Sequence, residues 1–145
     1  MREILFRGKR ADTGEWVKGF YAEMPYGEDV VSKIIRTKTR QHPNFSFAYP
    51  CQVFENEEFE VDPETVGQCT GLKDKNSKEI FEGDILYCYD EMFRATFTGE
   101  VVYRSGSFCI KEAEDDYLYH FRWDDYECEV IGNIHDNPEL LKKSY

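Results

Sequence analysis

The chain has no Cys-x-x-Cys pair, only three histidines, few prolines and no long apolar run. Each absence removes a class of protein. Without paired cysteines or a Cys/His cluster, a zinc site of the usual spacing is excluded. Without about twenty consecutive apolar residues, no membrane-spanning helix is encoded. The glycine-rich phosphate loops of nucleotide-binding proteins are missing. None of His42, His120 and His135 stands in a signature around a serine or cysteine nucleophile. No catalytic residue, metal or cofactor is therefore expected, and the chain reads as a non-enzyme. Met1–Arg10 packs five charges around one short apolar triplet, which is neither a signal peptide nor a membrane span. The expected compartment is the cytoplasm.

Basic charge is also in deficit. Against 18 Lys and Arg stand 29 Asp and Glu, for a formal net charge of −11. The imbalance is uneven: −3 over residues 1–70 and −8 over residues 71–145. A field of this sign repels phosphate backbones, which disfavours unspecific nucleic-acid binding. The five cysteines, Cys51, Cys69, Cys88, Cys109 and Cys128, are spaced 18, 19, 21 and 19 residues apart. An odd, spread-out set with apolar neighbours reads as buried free thiols in a reducing compartment.

What is abundant is aromatic. Phe, Tyr and Trp make up 16% of 145 residues, and flat, stiff side chains suit a pleated surface. Ile4–Phe6 and Glu15–Ala22 flank Asp12-Thr13-Gly14 and predict a hairpin. Pro25-Tyr26-Gly27 predicts a turn, and the β-branched Val30–Thr39 another strand. His42–Tyr49 is expected to be a loop or edge, and Asp62–Thr65 a turn or helix start. An internal boundary is placed there, giving a β-rich subdomain over 1–62 and a second over 63–145.

In the second half, Asp74–Ser77 is expected at a hairpin tip between Val66–Gly71 and Glu79–Phe81. Ile85–Tyr89, Ala95–Arg104 and Phe108–Glu112 read as strands, the last two joined by the three-residue loop Ser105-Gly106-Ser107. Tyr117–Trp123 alternates, with Tyr117, Tyr119, Phe121 and Trp123 on one face. Glu127–Ile134 is a last strand, and Asn137-Pro138 opens a short helical turn. Short strands, tight turns and no amphipathic helix describe a mostly β chain closing into a small barrel.

Three stretches carry a family likeness: FRGKRADTGEWVKGFY at Phe6–Tyr21, TGLKDKNSKEIFEGDIL at Thr70–Leu86, and VIGNIHDNPELL at Val130–Leu141. In this order they resemble the YopX family, proteins found mainly in phages and prophages. The resemblance implies a mostly β fold with an SH3-like barrel in the C-terminal half. It implies no activity and no catalytic residue.

Two surfaces deserve a functional reading. Tyr117, Tyr119, Phe121 and Trp123 would anchor a protein partner, or a second copy of the chain, wherever the face is exposed. The main expectation is therefore a protein–protein interaction module. The alternative is a single-strand nucleic-acid platform: Lys33, Arg36, Lys38 and Arg40 contain no acid among them and precede Phe45, Phe47 and Tyr49. Acids at Glu112, Glu114, Asp115, Asp116, Asp124 and Asp125 flank the aromatic strand and read as solvated loop ends.

Overall fold

A computed structural model describes residues 4–41, 52–121 and 126–142, with side chains throughout except at 38–41 and 52–54. The chain is mostly β and antiparallel, and it divides into two compact units, Leu5–Val66 and the chain from Gly67 onward together with its first four residues.

In the unit Leu5–Val66, strands β1 (Phe6–Lys9), β2 (Trp16–Tyr26), β3 (Asp29–Gln41) and β4 (Gln52–Glu60) lie in the order β4-β3-β2-β1. Alternation sets the faces. In β2, Val17 and Gly19 point inward while Lys18 and Phe20 face water. Val17, Ile34 and Val61 form the buried centre, flanked by Phe6, Tyr21, Phe59 and Val66. The turn expected at Pro25 falls two residues later. Pro25 and Tyr26 stay in β2, paired with Val30 and Asp29, and Gly27 takes the positive φ of +65° in a two-residue loop. Such loops match the strand twist when a glycine opens them. Asp62 caps the helical turn Pro63–Thr65, accepting the Glu64 N–H at 3.1 Å.

Among the described residues, the unit from Gly67 holds seven strands, one for each run read from the sequence: β5 (Gly67–Lys73), β6 (Glu79–Phe81), β7 (Asp84–Asp90), β8 (Ala95–Arg104), β9 (Ser107–Glu112), β10 (Leu118–His120) and β11 (Tyr126–Asn133). β5 and β6 form a hairpin, and the other five form a sheet in the order β10-β9-β8-β7-β11. Its core is Ile80, Leu86, Cys88, Phe97, Val101, Ile110 and Cys128. Removing such apolar surface from water contributes roughly 25 cal/mol per Å². A Cβ at Gly99 would lie 2.6 Å from the Lys111 carbonyl oxygen, so this position accepts only glycine.

Three expectations are corrected here. Arg104 pairs with Ser107, so the β8–β9 loop is the two residues Ser105 and Gly106, with φ of +52° and +83°. Positive φ at both is the geometry that follows strand twist. The aromatic strand is only three residues long, because β10 pairs along Leu118–His120 alone.

The third concerns the cysteines. Cys88 and Cys128 are not free thiols but a disulfide between β7 and β11, directly opposite each other with Cα atoms 4.2 Å apart. That is the spacing of a non-hydrogen-bonded antiparallel pair, where side chains approach most closely. These two residues no longer argue for a reducing compartment. Cys69 and Cys109 are free thiols, and Cys51 lies outside the described residues.

Candidate functional site

The site is built where β7 ends. Asp90, paired with Tyr126 of β11, is 4% exposed. Its Oδ1 accepts the N–H groups of Met92 (2.9 Å) and Phe93 (3.2 Å), bending the chain into an Asx-type turn. The turn holds Met92 and Phe93 out in water, at 69% and 74% exposure. Arg94 closes it at φ +50°.

Aromatic rings wall the opposite side. Tyr119 of β10 stacks on Phe97 of β8, with centroids 4.1 Å apart and planes 15° apart. Tyr126 stands edge-on to both rings at 5.8 Å, and Tyr117 meets Tyr119 at 4.8 Å. Edge-to-face and offset geometries are those the ring quadrupole favours. Between the turn and these rings lies a cavity of about 280 Å³, lined by Asp90, Met92, Phe93, Tyr117, Tyr119 and Tyr126 among others.

The surroundings are acidic. The Tyr119 hydroxyl donates to Glu112 Oε2 at 3.5 Å. Burial, followed by the neighbouring Asp115 and Glu114, pushes the Glu112 carboxyl above its ordinary range. Burial and then Glu112 and Asp115 raise Tyr119 as well. Lys111 is held on Asp116 at 3.3 Å. Glu112, Glu114, Asp115 and Asp116 thus stand on one end of β10, while Asp124 and Asp125 lie outside the described residues.

Of the four aromatic residues singled out, the structure divides the set. Tyr117 is 59% exposed, while Tyr119 and Phe121 pack partly against the core. Trp123 lies outside the described residues. Met92, Phe93 and Asp90 had no signal of their own, because their role follows from the β7–β8 turn meeting β10.

The basic strand is placed differently. Lys33 Nζ lies 3.0 Å from Glu58, and Arg36 Nε 2.6 Å from Glu57, across the β3–β4 pairing. Arg36 also sits over the Phe59 ring at 5.0 Å. The side chains of Lys38 and Arg40, and the segment His42–Tyr49, lie outside the described residues; in register Lys38 faces Glu55.

A further pairing was invisible in the sequence. His120 lies opposite Cys109, and its Nδ1 is 3.4 Å from the Cys109 Sγ. The Cys109 thiol is fully buried, whereas His120 is exposed and lines the cavity beside Asp90 and the tyrosines. Among the described residues, no group of three His, Cys, Asp or Glu side chains could hold a metal ion. Among them, too, no helix is long and apolar enough to cross a membrane.

Comparison with known proteins covers almost the whole chain. A family described as YopX protein matches residues 5–142. The crystal structure of protein EF1440 from Enterococcus faecalis is similar with a TM-score of 0.59 and 27% identity, covering 98% of this chain and 100% of that one. The crystal structure of protein yopX from Bacillus subtilis shares the fold at a TM-score of 0.51 and 16% identity, with the same coverage. No curated protein matches.

Proposed function

The chain belongs to the YopX protein family, and we propose that it acts as a non-enzymatic protein–protein interaction module. The observation that carries this reading is the cluster of Met92, Phe93 and Tyr117, each well over half exposed, around a cavity walled by aromatic rings. Large apolar side chains held out in water around a concavity are the anchors of interfaces, where a few aromatic residues supply most of the binding energy. Catalysis would need a nucleophile or a general acid and base converging on a substrate. Asp90 and His120 both line the cavity, but no nucleophile joins them there: the Cys109 thiol is fully buried, and Asp90 Oδ1 is held by the turn. In this reading the unit from Gly67 serves as an SH3-like barrel, and the setting is a bacterium carrying phage or prophage genes.

The nucleic-acid reading has less support, since Lys33 and Arg36 are already engaged by Glu58 and Glu57. The test is partner capture by the tagged chain and by a Phe93→Ser, Tyr117→Ser variant, with light scattering to include self-association. Both residues are exposed, so the variant is expected to keep its melting temperature and to lose the partner. A partner or oligomer held equally by both proteins would remove this face from the account.

A further inference from the structure

We propose that the cavity at the β7–β11 end seats the guanidinium or alkylammonium group of a basic segment of a protein partner. Asp90 supplies the counter-charge and Tyr117, Tyr119 and Tyr126 the walls. This rests on the interaction reading above and adds the chemistry of the occupant.

Asp90, 4% exposed as a residue, lines the cavity, and its Oδ1 takes both N–H groups of the turn. Among the described residues, Oδ2 makes no hydrogen bond or ion pair. Asp74 shows the contrast: both of its oxygens are taken, Oδ1 by Asn76 and Lys78 and Oδ2 by Val130. Asp90 Oδ2 is not among the buried atoms that lack a partner, so solvent reaches it and it is open to a charge-assisted hydrogen bond from a cation brought into the cavity.

Aromatic faces attract ammonium and guanidinium groups within about 6 Å of the ring centroid. The Tyr119 ring stands 4.8 Å from Tyr117 and 5.8 Å from Tyr126, so one cation can meet more than one ring. Charge points the same way: Glu91 and Glu127 adjoin Asp90 and Tyr126 in the chain, and Glu112, with Asp115 and Glu114 beside it, meets the Tyr119 hydroxyl. Against them stand Arg94, a lining His120 and a Lys111 already held by Asp116.

Size and rim decide between a free cation and one carried on a peptide. At about 280 Å³ the cavity lies just below the ~300–1,000 Å³ range of ligand pockets. It has room for a side chain. The exposed Met92, Phe93 and Tyr117 add apolar contact that a bare cation would leave uncovered.

The experiment uses the full chain, titrated with a blocked Ala-Ala-Arg-Ala-Ala peptide, its citrulline counterpart and tetramethylammonium chloride, followed by NMR and calorimetry. The arginine peptide is expected to shift Asp90, Tyr117 and Tyr126 saturably, with the citrulline peptide at least tenfold weaker. Asp90→Asn keeps an oxygen for the two N–H groups and removes the charge. It is expected to melt as the parent does and to bind at least tenfold more weakly. Should Asp90→Asn lose its fold, Tyr117→Leu, which keeps exposed apolar bulk and removes the ring, is expected to weaken binding about fivefold. Equal affinity for arginine and citrulline, no binding of either peptide, or unchanged affinity in the folded variants overturns the proposal. Tetramethylammonium bound as tightly as the peptide overturns the protein-borne occupant. Partner capture lost in Phe93→Ser, Tyr117→Ser yet intact in Asp90→Asn would leave the interaction reading standing and remove this one.

Discussion

Asp74 is a buried residue that keeps its charge, and the reason is local. Burial alone would raise its carboxyl, but the N–H groups of Val130, Lys78 and Asn76 all donate to it, and their sum holds it below the ordinary carboxylate range. The same contacts tie the β5–β6 hairpin tip to β11. Asp74→Asn places an NH₂ group against one of these donors and is expected to cost about 1–3 kcal/mol in urea unfolding at neutral pH. A folded-state carboxyl that is lowered contributes stability above its unfolded value, roughly 3.9, and loses it as pH falls through the folded one. The gap between parent and variant should therefore close in acid; a constant gap would mean the charge is not what matters. Glu112 carries the opposite sign. Its folded carboxyl is raised, first by burial and then by Asp115 and Glu114, so ionising it opposes folding. Glu112→Gln keeps an acceptor for Tyr119 and is expected to melt higher than the parent at pH 7. The advantage should fade as pH falls through the raised folded value and be gone below the unfolded glutamate value of about 4.3.

At the scale of elements, the disulfide is the sharpest test. Cys88 and Cys128 close a loop of 40 residues, for which the chain-entropy account gives a stabilisation of about 4 kcal/mol as an upper figure. Reductant is expected to lower the parent's denaturation midpoint and to leave a Cys88→Ser, Cys128→Ser variant unmoved. If the parent ignores reductant, the two thiols are not joined. Alternation and turn chemistry made most strands legible, as in β2, where Val17 and Gly19 alternate with Lys18 and Phe20. Asp62 and Pro63 likewise announced their helical turn. What stayed hidden depends on register between distant strands. Cys88 faces Cys128, and Cys109 faces His120, only because β7 pairs with β11 and β9 with β10. The cavity is of the same kind. Tyr117 and Tyr119 were legible as an aromatic face, but Asp90, Met92 and Phe93 join them through a turn at the far end of β7.

Over the whole molecule, charge decides between the two kinds of partner. Net charge is −11, with −8 of it in residues 71–145, so the long-range field repels polyanions and draws in cations. The cations on β3 do little to reverse this locally, because Lys33 and Arg36 are spent on Glu58 and Glu57. Exposed pairs of this kind contribute only about 0–1 kcal/mol to stability. Lys33→Ala, Arg36→Ala is therefore expected to fold as the parent does. Fluorescence anisotropy with a labelled oligothymidine and a labelled arginine peptide separates the readings. The peptide is expected to bind at low salt and to weaken as salt screens the acidic field, while the oligonucleotide stays unbound throughout. An oligonucleotide that binds at low salt, and is released with a slope near −0.7 per phosphate contacted, would transfer the function to β3. The double substitution would then abolish that binding, where on the present account it changes neither titration.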